Sequence, residues 1–294
     1  MFVEAIEKST KFTKPLISSH AYADGTVDSG IGTYIMINRD GWAITAAHCI
    51  NGIAKLKADK EKKDEIDRHN AEHPDDRKEY DPKMLLAHSM WFGDDRIRFE
   101  TIHVTPEFDL AIMKLVNLPP DFVTDYPVFK SPENVKPGMS LCRTGFPFIN
   151  VKSSFEPTNT RFKIDVPSNI YAMYFPNEAM LTRSLTVTVK TPNGALVNEV
   201  NGIPTLFIET STPGLKGQSG GPIFDVKGNI VGMQSRTAFM DLNFGDCQQG
   251  AKYMPEQFMN LGIAVHSSTI MKVLDKFNVK YKSEADDDGY RIIG

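Results

Sequence analysis

The chain has 294 residues, 41% hydrophobic and 24% charged, a length and composition typical of a globular protein with one large domain or two small ones. Its formal net charge of −4 provides no general attraction to nucleic acids or to anionic membranes, so we expect neither as a partner. No stretch of the sequence is long and apolar enough to cross a bilayer.

The cysteine pattern and the N-terminus indicate the cellular compartment. The cysteines are odd in number and far apart: Cys49, Cys142 and Cys247. This pattern argues against a disulfide framework and favours a reducing environment. The first eight residues, Met-Phe-Val-Glu-Ala-Ile-Glu-Lys, include acids and lack the apolar run of a signal peptide. We therefore predict a cytoplasmic protein.

The first clear structural signal is a pair of strands that leads to His48. Residues 33–38 are rich in β-branched and aromatic side chains, and Asn-Arg-Asp-Gly at 38–41 is typical of a turn. Residues 42–45 predict the next strand, which is followed by Ala-Ala-His-Cys. A histidine delivered by a strand in this way is a candidate general base.

The segment from Lys55 to Lys83 is highly charged, with acidic and basic residues interspersed. This pattern favours a solvated helix followed by a loop, with a docking surface for a partner as the alternative. Because the segment lies between His48 and the next candidate site residue, we interpret it as an insertion.

Asp109 is the candidate for orienting the histidine. It begins the run Asp-Leu-Ala-Ile-Met-Lys-Leu, whose apolar residues predict a strand that would hold the aspartate in place. An aspartate there can accept a hydrogen bond from histidine Nδ1 and fix the tautomer of the ring. Asp94 and Asp95 compete for this role but lack the apolar continuation.

Ser219 is the candidate nucleophile. It lies in the glycine-rich stretch Gly-Leu-Lys-Gly-Gln-Ser-Gly-Gly-Pro-Ile-Phe-Asp at 214–225. A serine hydroxyl needs a base and a site for the oxyanion, and glycines permit the unusual backbone angles that such a site requires. We predict an oxyanion hole formed by the N–H groups of Gly217 and Ser219. A glycine-rich turn between two strands is the alternative.

Together these motifs resemble the trypsin-like, chymotrypsin-fold serine peptidases. Thr-Ala-Ala-His-Cys, Asp-Leu-Ala and Gly-x-Ser-Gly-Gly-Pro occur in that family's chain order of His, Asp and Ser. The Asp-Gly turn before the histidine and Gly-Phe-Pro-Phe at 145–148 are closest in style to bacterial HtrA-like peptidase domains. The resemblance implies an all-β fold with two antiparallel six-stranded β-barrels, a C-terminal helix, and helical or loop insertions.

The resemblance also suggests a division of the chain. Residues 1–120 would form the N-terminal barrel with a charged insertion near 54–83, and residues 121–137 would connect the barrels. Residues 138–280 would form the C-terminal barrel and a closing helix, for which apolar residues recur at helical spacing from Ile270 to Phe277. Residues 281–294 would be an acidic tail. We expect no PDZ domain, because no segment of that length follows.

The implied activity is that of a serine endopeptidase, which hydrolyses protein or peptide substrates through an acyl-enzyme intermediate. No metal or organic cofactor is expected. Gln218 precedes the nucleophile, where zymogens of the family have the aspartate that pairs with a new N-terminus. That route of activation is therefore not expected. The alternatives are a latent protease that needs an activating partner or processing, and a catalytically silent peptide-binding protein.

The family pattern places the substrate-binding residues around one specificity pocket. Its floor position, six residues before the nucleophile, is a proline here, so no carboxylate is present to receive Lys or Arg. The strand at 232–235 would pair with extended substrate, and a glycine would keep the mouth of the pocket open. The predicted substrate-binding residues are Pro213, Gln234, Ser235, Arg236, Thr237 and Gly262.

The preference of this pocket stays open at the level of sequence. A partly apolar pocket is favoured by Met233, Ile263 and Val265. A preference for an acidic or polar side chain is favoured by Gln234, Arg236 and His266.

Overall fold

A computed structural model describes residues 1–241 and 258–284. Its helices are α1 (Val3–Thr10), α2 (Gly52–Glu72) and α3 (Ser267–Lys276). The strands of the first half are β1 (Thr13–Tyr22), β2 (Val27–Met36), β3 (Trp42–Ala46), β4 (Leu85–Trp91), β5 (Arg98–Thr105) and β6 (Leu110–Val116). Those that follow are β7 (Val128–Phe129), β8 (Ser140–Gly145), β9 (Lys152–Glu156), β10 (Arg161–Asp165), β11 (Phe175–Thr186), β12 (Val189–Lys190), β13 (Leu196–Val197), β14 (Glu199–Val200), β15 (Ile203–Pro204), β16 (Leu206–Thr210), β17 (Pro222–Phe224), β18 (Ile230–Asp241), β19 (Phe258–His266) and β20 (Lys282–Ser283).

The first half folds into one curled antiparallel sheet in the order β4-β1-β2-β3-β6-β5. Its register places Ile44 between Ile35 and Ile112, and all three side chains are fully buried. β-Branched residues favour such strands because they pack well on a pleated surface. At one end of the sheet Ala46 pairs with Leu110, so the residue that follows β3 and the residue that precedes β6 lie at the same end of the sheet.

The second half folds into a closed barrel. The strand order is β17-β8-β11-β16-β19-β18, and β18 pairs back with β17. A second buried cluster, which includes Ile208, Ile223 and Ala264, lies within this sheet. With the curled N-terminal sheet, this barrel gives the mostly β architecture of a chymotrypsin-like double barrel. The predicted fold class is therefore confirmed.

The predicted charged insertion begins as the 21-residue helix α2, which confirms the helix-then-loop interpretation. The helix is polar on most of its surface, and its buried residues are Gly52 and Asp59. Asp59 accepts a hydrogen bond from Leu85 N at 2.8 Å and pairs with Lys55 Nζ. α2 therefore lies outside the barrel core and starts four residues after His48.

The C-terminal end of the described chain packs against the second barrel. α3 buries Ile270, Val273 and Leu274 at the position predicted for the closing helix. Lys282–Ser283 forms β20 beside β7, and Glu284 pairs with Lys130 Nζ at 3.1 Å. The first four residues of the predicted acidic tail are thus part of the fold, and residues 285–294 lie outside the described residues. The division into the predicted domains stays a prediction.

None of the helices in the described residues has the length and apolar character that crossing a membrane requires. Among the described residues, Cys49 and Cys142 are free thiols. Cys247 lies outside the described residues.

Candidate active site

His48 lies in a short 3₁₀ helix, Ala47–Ile50, directly after β3. Its backbone N–H donates to Asp109 Oδ1 at 3.0 Å, and its Nδ1 lies 2.9 Å from Asp109 Oδ2. The two residues are 61 positions apart. They meet because β3 and β6 are antiparallel neighbours. The segment after β3 and the residue before β6 therefore lie at the same end of the sheet.

Asp109 occupies a left-handed backbone conformation, with φ = 50°, between a 3₁₀ turn and β6. This turn lets one carboxylate bond both the backbone and the side chain of His48. The hydroxyl of Ser235 donates to Asp109 Oδ2 at 2.6 Å. The sequence predicts that Ser235 flanks the specificity pocket. It does not indicate the hydrogen bond from Ser235 to Asp109.

The electrostatics of the pair follow from these contacts. The hydrogen bond to Asp109 raises the pKa of His48 above its ordinary value of 6.5. Burial raises the pKa of Asp109, but the hydrogen bonds from His48 and Ser235 outweigh it and lower that pKa overall. Asp109 is therefore an ionised acceptor for the imidazole.

Ser219 faces His48 across a shared space, since both residues line two adjoining cavities of about 350 and about 330 Å³. The Ser219 hydroxyl donates to the carbonyl of Ser235 at 3.3 Å. Within the described residues it makes no hydrogen bond to His48. The Ser219 carbonyl accepts from Thr33 N at 2.8 Å, which ties the loop around Ser219 to the first sheet.

Gly217 has φ = +102°, a conformation that side chains disfavour. A Cβ there would lie 2.9 Å from Pro147 Cα, so the loop has no room for one. Its carbonyl accepts from Thr33 Oγ1 at 2.6 Å. In the described part of the chain neither Gly217 N–H nor Ser219 N–H donates a hydrogen bond, so both remain available to an acceptor.

The side chain of Gln218 restrains this loop through hydrogen bonds. This side chain is fully buried, and its Oε1 accepts from Leu215 N at 3.0 Å. Its Nε2 donates to Asn177 Oδ1 at 2.7 Å and to Phe175 O at 3.3 Å. The neutral amide is thus fully paired with the loop on one side and β11 on the other. Asn177 carries no sequence signal that would have identified it.

The cavity of about 330 Å³ contains most of the predicted substrate-binding residues. Gln234, Ser235, Arg236 and Thr237 line it. Gly214, Leu215 and Lys216 line it as well. The sequence did not predict a substrate-binding role for these three residues, because they lie in the glycine-rich stretch and have no chemical motif of their own.

The remaining predicted pocket residues lie elsewhere. Pro213 and Gly262 are not among the residues that line this cavity. Gly262 packs instead against Arg143, which lies behind it. His266 caps α3 by accepting from Ser268 N at 3.0 Å, and burial lowers its pKa to about 4. His266 is therefore a structural residue here.

The cavity of about 350 Å³ is also lined by Ser219. Its wall includes Tyr22, Gly32 and Cys49 together with Lys216. Lys216 lines both cavities and so stands between them. Within the described ranges, no three His, Cys, Asp or Glu side chains converge in a way that could hold a metal ion.

A family model for the trypsin-like peptidase domain matches residues 32–233, a range that includes His48, Asp109 and Ser219. The chain belongs to the family of trypsin-like peptidases. This match confirms the predicted resemblance, and by family the chain is a serine protease. A comparison with curated protein sequences finds no significant match.

Solved protease structures match this trypsin-like peptidase at low sequence identity. Deg5 is 15% identical with a TM-score of 0.50, and the match covers 92% of this chain and 90% of Deg5. The active form of the Rv3671c protease from M. tuberculosis is 15% identical with a TM-score of 0.49, covering 95% and 86%. The HtrA-type protease AlgW with a tripeptide is 16% identical with a TM-score of 0.48, covering 94% and 63%.

Proposed function

We propose that this trypsin-like peptidase is a serine endopeptidase in which Ser219 is the nucleophile, His48 the general base and Asp109 the residue that orients His48. The observation that carries the proposal is the contact of His48 Nδ1 with Asp109 Oδ2 at 2.9 Å, beside a cavity that both His48 and Ser219 line. A histidine held at Nδ1 by a carboxylate presents Nε2 to a neighbouring serine as a proton acceptor.

The chemistry follows from these positions. Ser219 Oγ attacks the scissile carbonyl while its proton passes to His48 Nε2, and an Oγ–C bond forms. Return of the proton to the leaving amine breaks the C–N bond and leaves an acyl-enzyme. Water then attacks the acyl carbon and gives its proton to His48, which returns it to Ser219 as the carboxylic acid departs. Asp109 stays ionised, consistent with its lowered pKa.

The oxyanion of each tetrahedral intermediate needs two donors that do not reorganise during the reaction. Gly217 N–H and Ser219 N–H are proposed for this role, because both are free of other acceptors in the described residues. The bonds that Thr33 makes to the carbonyls of Gly217 and Ser219 support it, since they restrain the loop on both sides of the donors.

An extended peptide or protein is the proposed substrate. β18 pairs with β19 along one edge, and its pairing with β17 ends at Met233. In the described residues the outer edge of Ser235–Thr237 therefore has no strand partner. A peptide can add to such an edge through main-chain hydrogen bonds, which would bring its scissile bond to Ser219.

Two other functions compete with this proposal. The contact of Ser219 Oγ with Ser235 O favours a latent protease, in which an activating partner or processing must turn the hydroxyl toward His48. A silent peptide-binding protein would need no such change. The fully paired side chain of Gln218 favours a loop that is already ordered.

The bacterial origin, which the HtrA-like resemblance implies, and the cytoplasmic location stay predictions.

The test is intact-mass labelling with a fluorophosphonate, which reacts with an activated serine without needing the correct peptide. We expect one adduct on the wild type and none on Ser219→Ala or His48→Ala. Ser184→Ala, an exposed serine on β11, is the matched control and should label like the wild type.

Absence of labelling in folded wild-type protein would contradict constitutive activity. Labelling that appears only after addition of a partner or after proteolytic processing would establish the latent protease. Labelling that survives Ser219→Ala would show that another residue is the nucleophile.

A further inference from the structure

The cavity of about 330 Å³ beside Ser219 is lined by two cationic side chains, Lys216 and Arg236, and this feature points to its substrate. We propose that it accepts an acidic side chain on the residue whose carbonyl Ser219 attacks, with the buried guanidinium of Arg143 behind its wall as the selecting cation. The inference rests on the proposed peptidase function, because cleavage by Ser219 defines which substrate residue enters this cavity.

Arg143 lies in the middle of β8, where it pairs with Asn177 of β11 and Ile223 of β17. Its side chain is fully buried and reaches the end of β16, two strands away in the sheet. There its Nη1 donates to Thr212 O at 2.9 Å and its Nη2 donates to Thr210 Oγ1. Two residues after Thr212 the chain forms the wall of the cavity.

Gly262 leaves the space that the guanidinium occupies. A Cβ on Gly262 would lie 2.5 Å from Arg143 Nη2 and 2.6 Å from Thr212 O, so a larger residue would displace one of them. Gly262 pairs with Thr237, which lines the cavity. Arg143 therefore stands one layer behind the cavity wall, in the gap that the predicted pocket glycine provides.

No carboxylate balances Arg143 within the part of the chain that the structure describes. Arg96 and Arg183 each pair with an acid, whereas Arg143 donates only to neutral oxygens and its Nε has no partner. Burial lowers the pKa of Arg143 to about 10, which still leaves it charged at neutral pH. A buried charge without a partner is costly, so an entering carboxylate would relieve that cost and a neutral side chain would not.

The mouth of the cavity adds further positive charge. Lys216 and Arg236 line it and both are exposed, and among the residues that the structure describes its lining includes no Asp or Glu. Arg236 stacks on Phe207, with its guanidinium carbon 5.2 Å from the ring centroid. The apolar residues that favoured a different pocket at the level of sequence, Met233, Ile263 and Val265, do not line it.

Gln234 provides the sharpest competing interpretation. Its Nε2 donates to Arg236 O and Ile263 O, and its Oε1 is buried with no donor among the described residues. That oxygen would accept a hydrogen bond from a glutamine side chain and would not favour a glutamate. Glutamate and glutamine have the same shape, so a comparison between them isolates the charge that Arg143 supplies.

The first test uses quenched peptides that differ only at the residue preceding the cleaved bond: glutamate, glutamine, leucine or lysine. We expect kcat/KM for glutamate to exceed that for glutamine by about 10- to 100-fold, the order of the attraction between a carboxylate and a cation one layer away in a partly buried site. Equal rates for glutamate and glutamine, or a preference for glutamine, leucine or lysine, would overturn the assignment. This comparison uses the wild-type enzyme and does not depend on how a variant folds.

The second test is Arg143→Met, with Arg161→Met, an exposed arginine on β10, as the matched control. We expect Arg143→Met to abolish the preference for glutamate over glutamine, a ratio of kcat/KM values within one protein that a general loss of rate does not change. An unchanged preference in labelled Arg143→Met would overturn the role of Arg143.

The two proposals fail in different ways. A wild type that labels but does not prefer glutamate contradicts the acidic pocket alone. A folded wild type that neither labels nor cleaves any of the four peptides contradicts the active peptidase, and the acidic pocket fails with it.

Discussion

The side-chain amide of Gln218 donates to Asn177 Oδ1 at 2.7 Å, joining the residue before the nucleophile to β11. The opposite end of the same amide accepts from Leu215 N. Trypsin-like zymogens use an ion pair at this position. In this chain a neutral, fully buried side chain spans the same loop, which supports our proposal that the loop is ordered without a new N-terminus.

We expect Gln218→Ala to slow fluorophosphonate labelling by about 10- to 100-fold, because it removes hydrogen bonds worth about 1–3 kcal/mol and leaves Leu215 N without its acceptor. Asn177→Ala should change the rate in the same direction by less. Asn159→Ala, in an exposed turn, is the control. A wild-type rate in Gln218→Ala, measured on protein that unfolds at the wild-type temperature, would show that the loop is held by other contacts.

Ser235→Ala tests the second hydrogen bond to Asp109. It removes the hydroxyl that donates to Asp109 Oδ2 and keeps the Ser235 carbonyl that accepts from Ser219. A bond to a charged group contributes about 1.5–3 kcal/mol, so we expect labelling to slow about tenfold or more. Ser235→Thr, which restores a hydroxyl, should recover most of the rate. Equal rates for all three proteins would exclude a positioning role.

The pH dependence of labelling reports the protonation of His48. Reaction requires neutral His48, and its hydrogen bond to Asp109 raises its pKa. The rate should therefore rise with pH through a midpoint above the ordinary value of 6.5. Asp109→Asn should lower that midpoint and reduce the rate by about 10⁴-fold, the size typical of this change in such triads. A wild-type midpoint at or below 6.5 would contradict the pairing.

Lys130→Met tests the attachment of Glu284, the residue after β20, to the second barrel. Lys130 Nζ lies 2.8 Å from Asp225 Oδ2 and 3.1 Å from Glu284 Oε1. Removing the cation leaves the buried Asp225 uncompensated, so we expect the free energy of unfolding to fall by about 3–5 kcal/mol in urea titrations. Lys227→Met, in the exposed turn after Asp225, is the control. An unchanged urea midpoint in Lys130→Met would contradict this assignment.

The same network predicts a loss of stability in acid. Burial raises the pKa of Glu284, but its hydrogen bonds to Lys130 and neighbouring groups outweigh burial and lower it below the ordinary value of 4.5. A lowered pKa stabilises the fold above the unfolded value, and this contribution is lost as pH falls through the folded value. Wild-type stability should therefore decrease below about pH 4.5, and Glu284→Gln should show a smaller decrease over that range.

The sequence by itself determined the family, the fold class and the residues proposed for the chemistry. His48, Asp109 and Ser219 each sit in a short motif whose local requirements are visible without a structure: a strand that delivers a histidine, an apolar strand after an aspartate, and glycines around a serine. Such motifs are readable because neighbours in the chain are neighbours in space. The charged insertion was readable for the same reason, since a polar pattern excludes burial.

Only the tertiary structure decided which distant residues support that chemistry. Ser235 reaches Asp109 across 126 positions, Gln218 reaches Asn177 across 41, and Arg143 reaches Thr212 across 69. None of these contacts has a local signature, because each depends on the register and closure of the sheets. The surroundings of the pocket were likewise beyond the sequence. Closure of the barrel brings Arg143, which pairs with no acid among the described residues, behind the pocket wall and leaves the apolar candidates outside its lining.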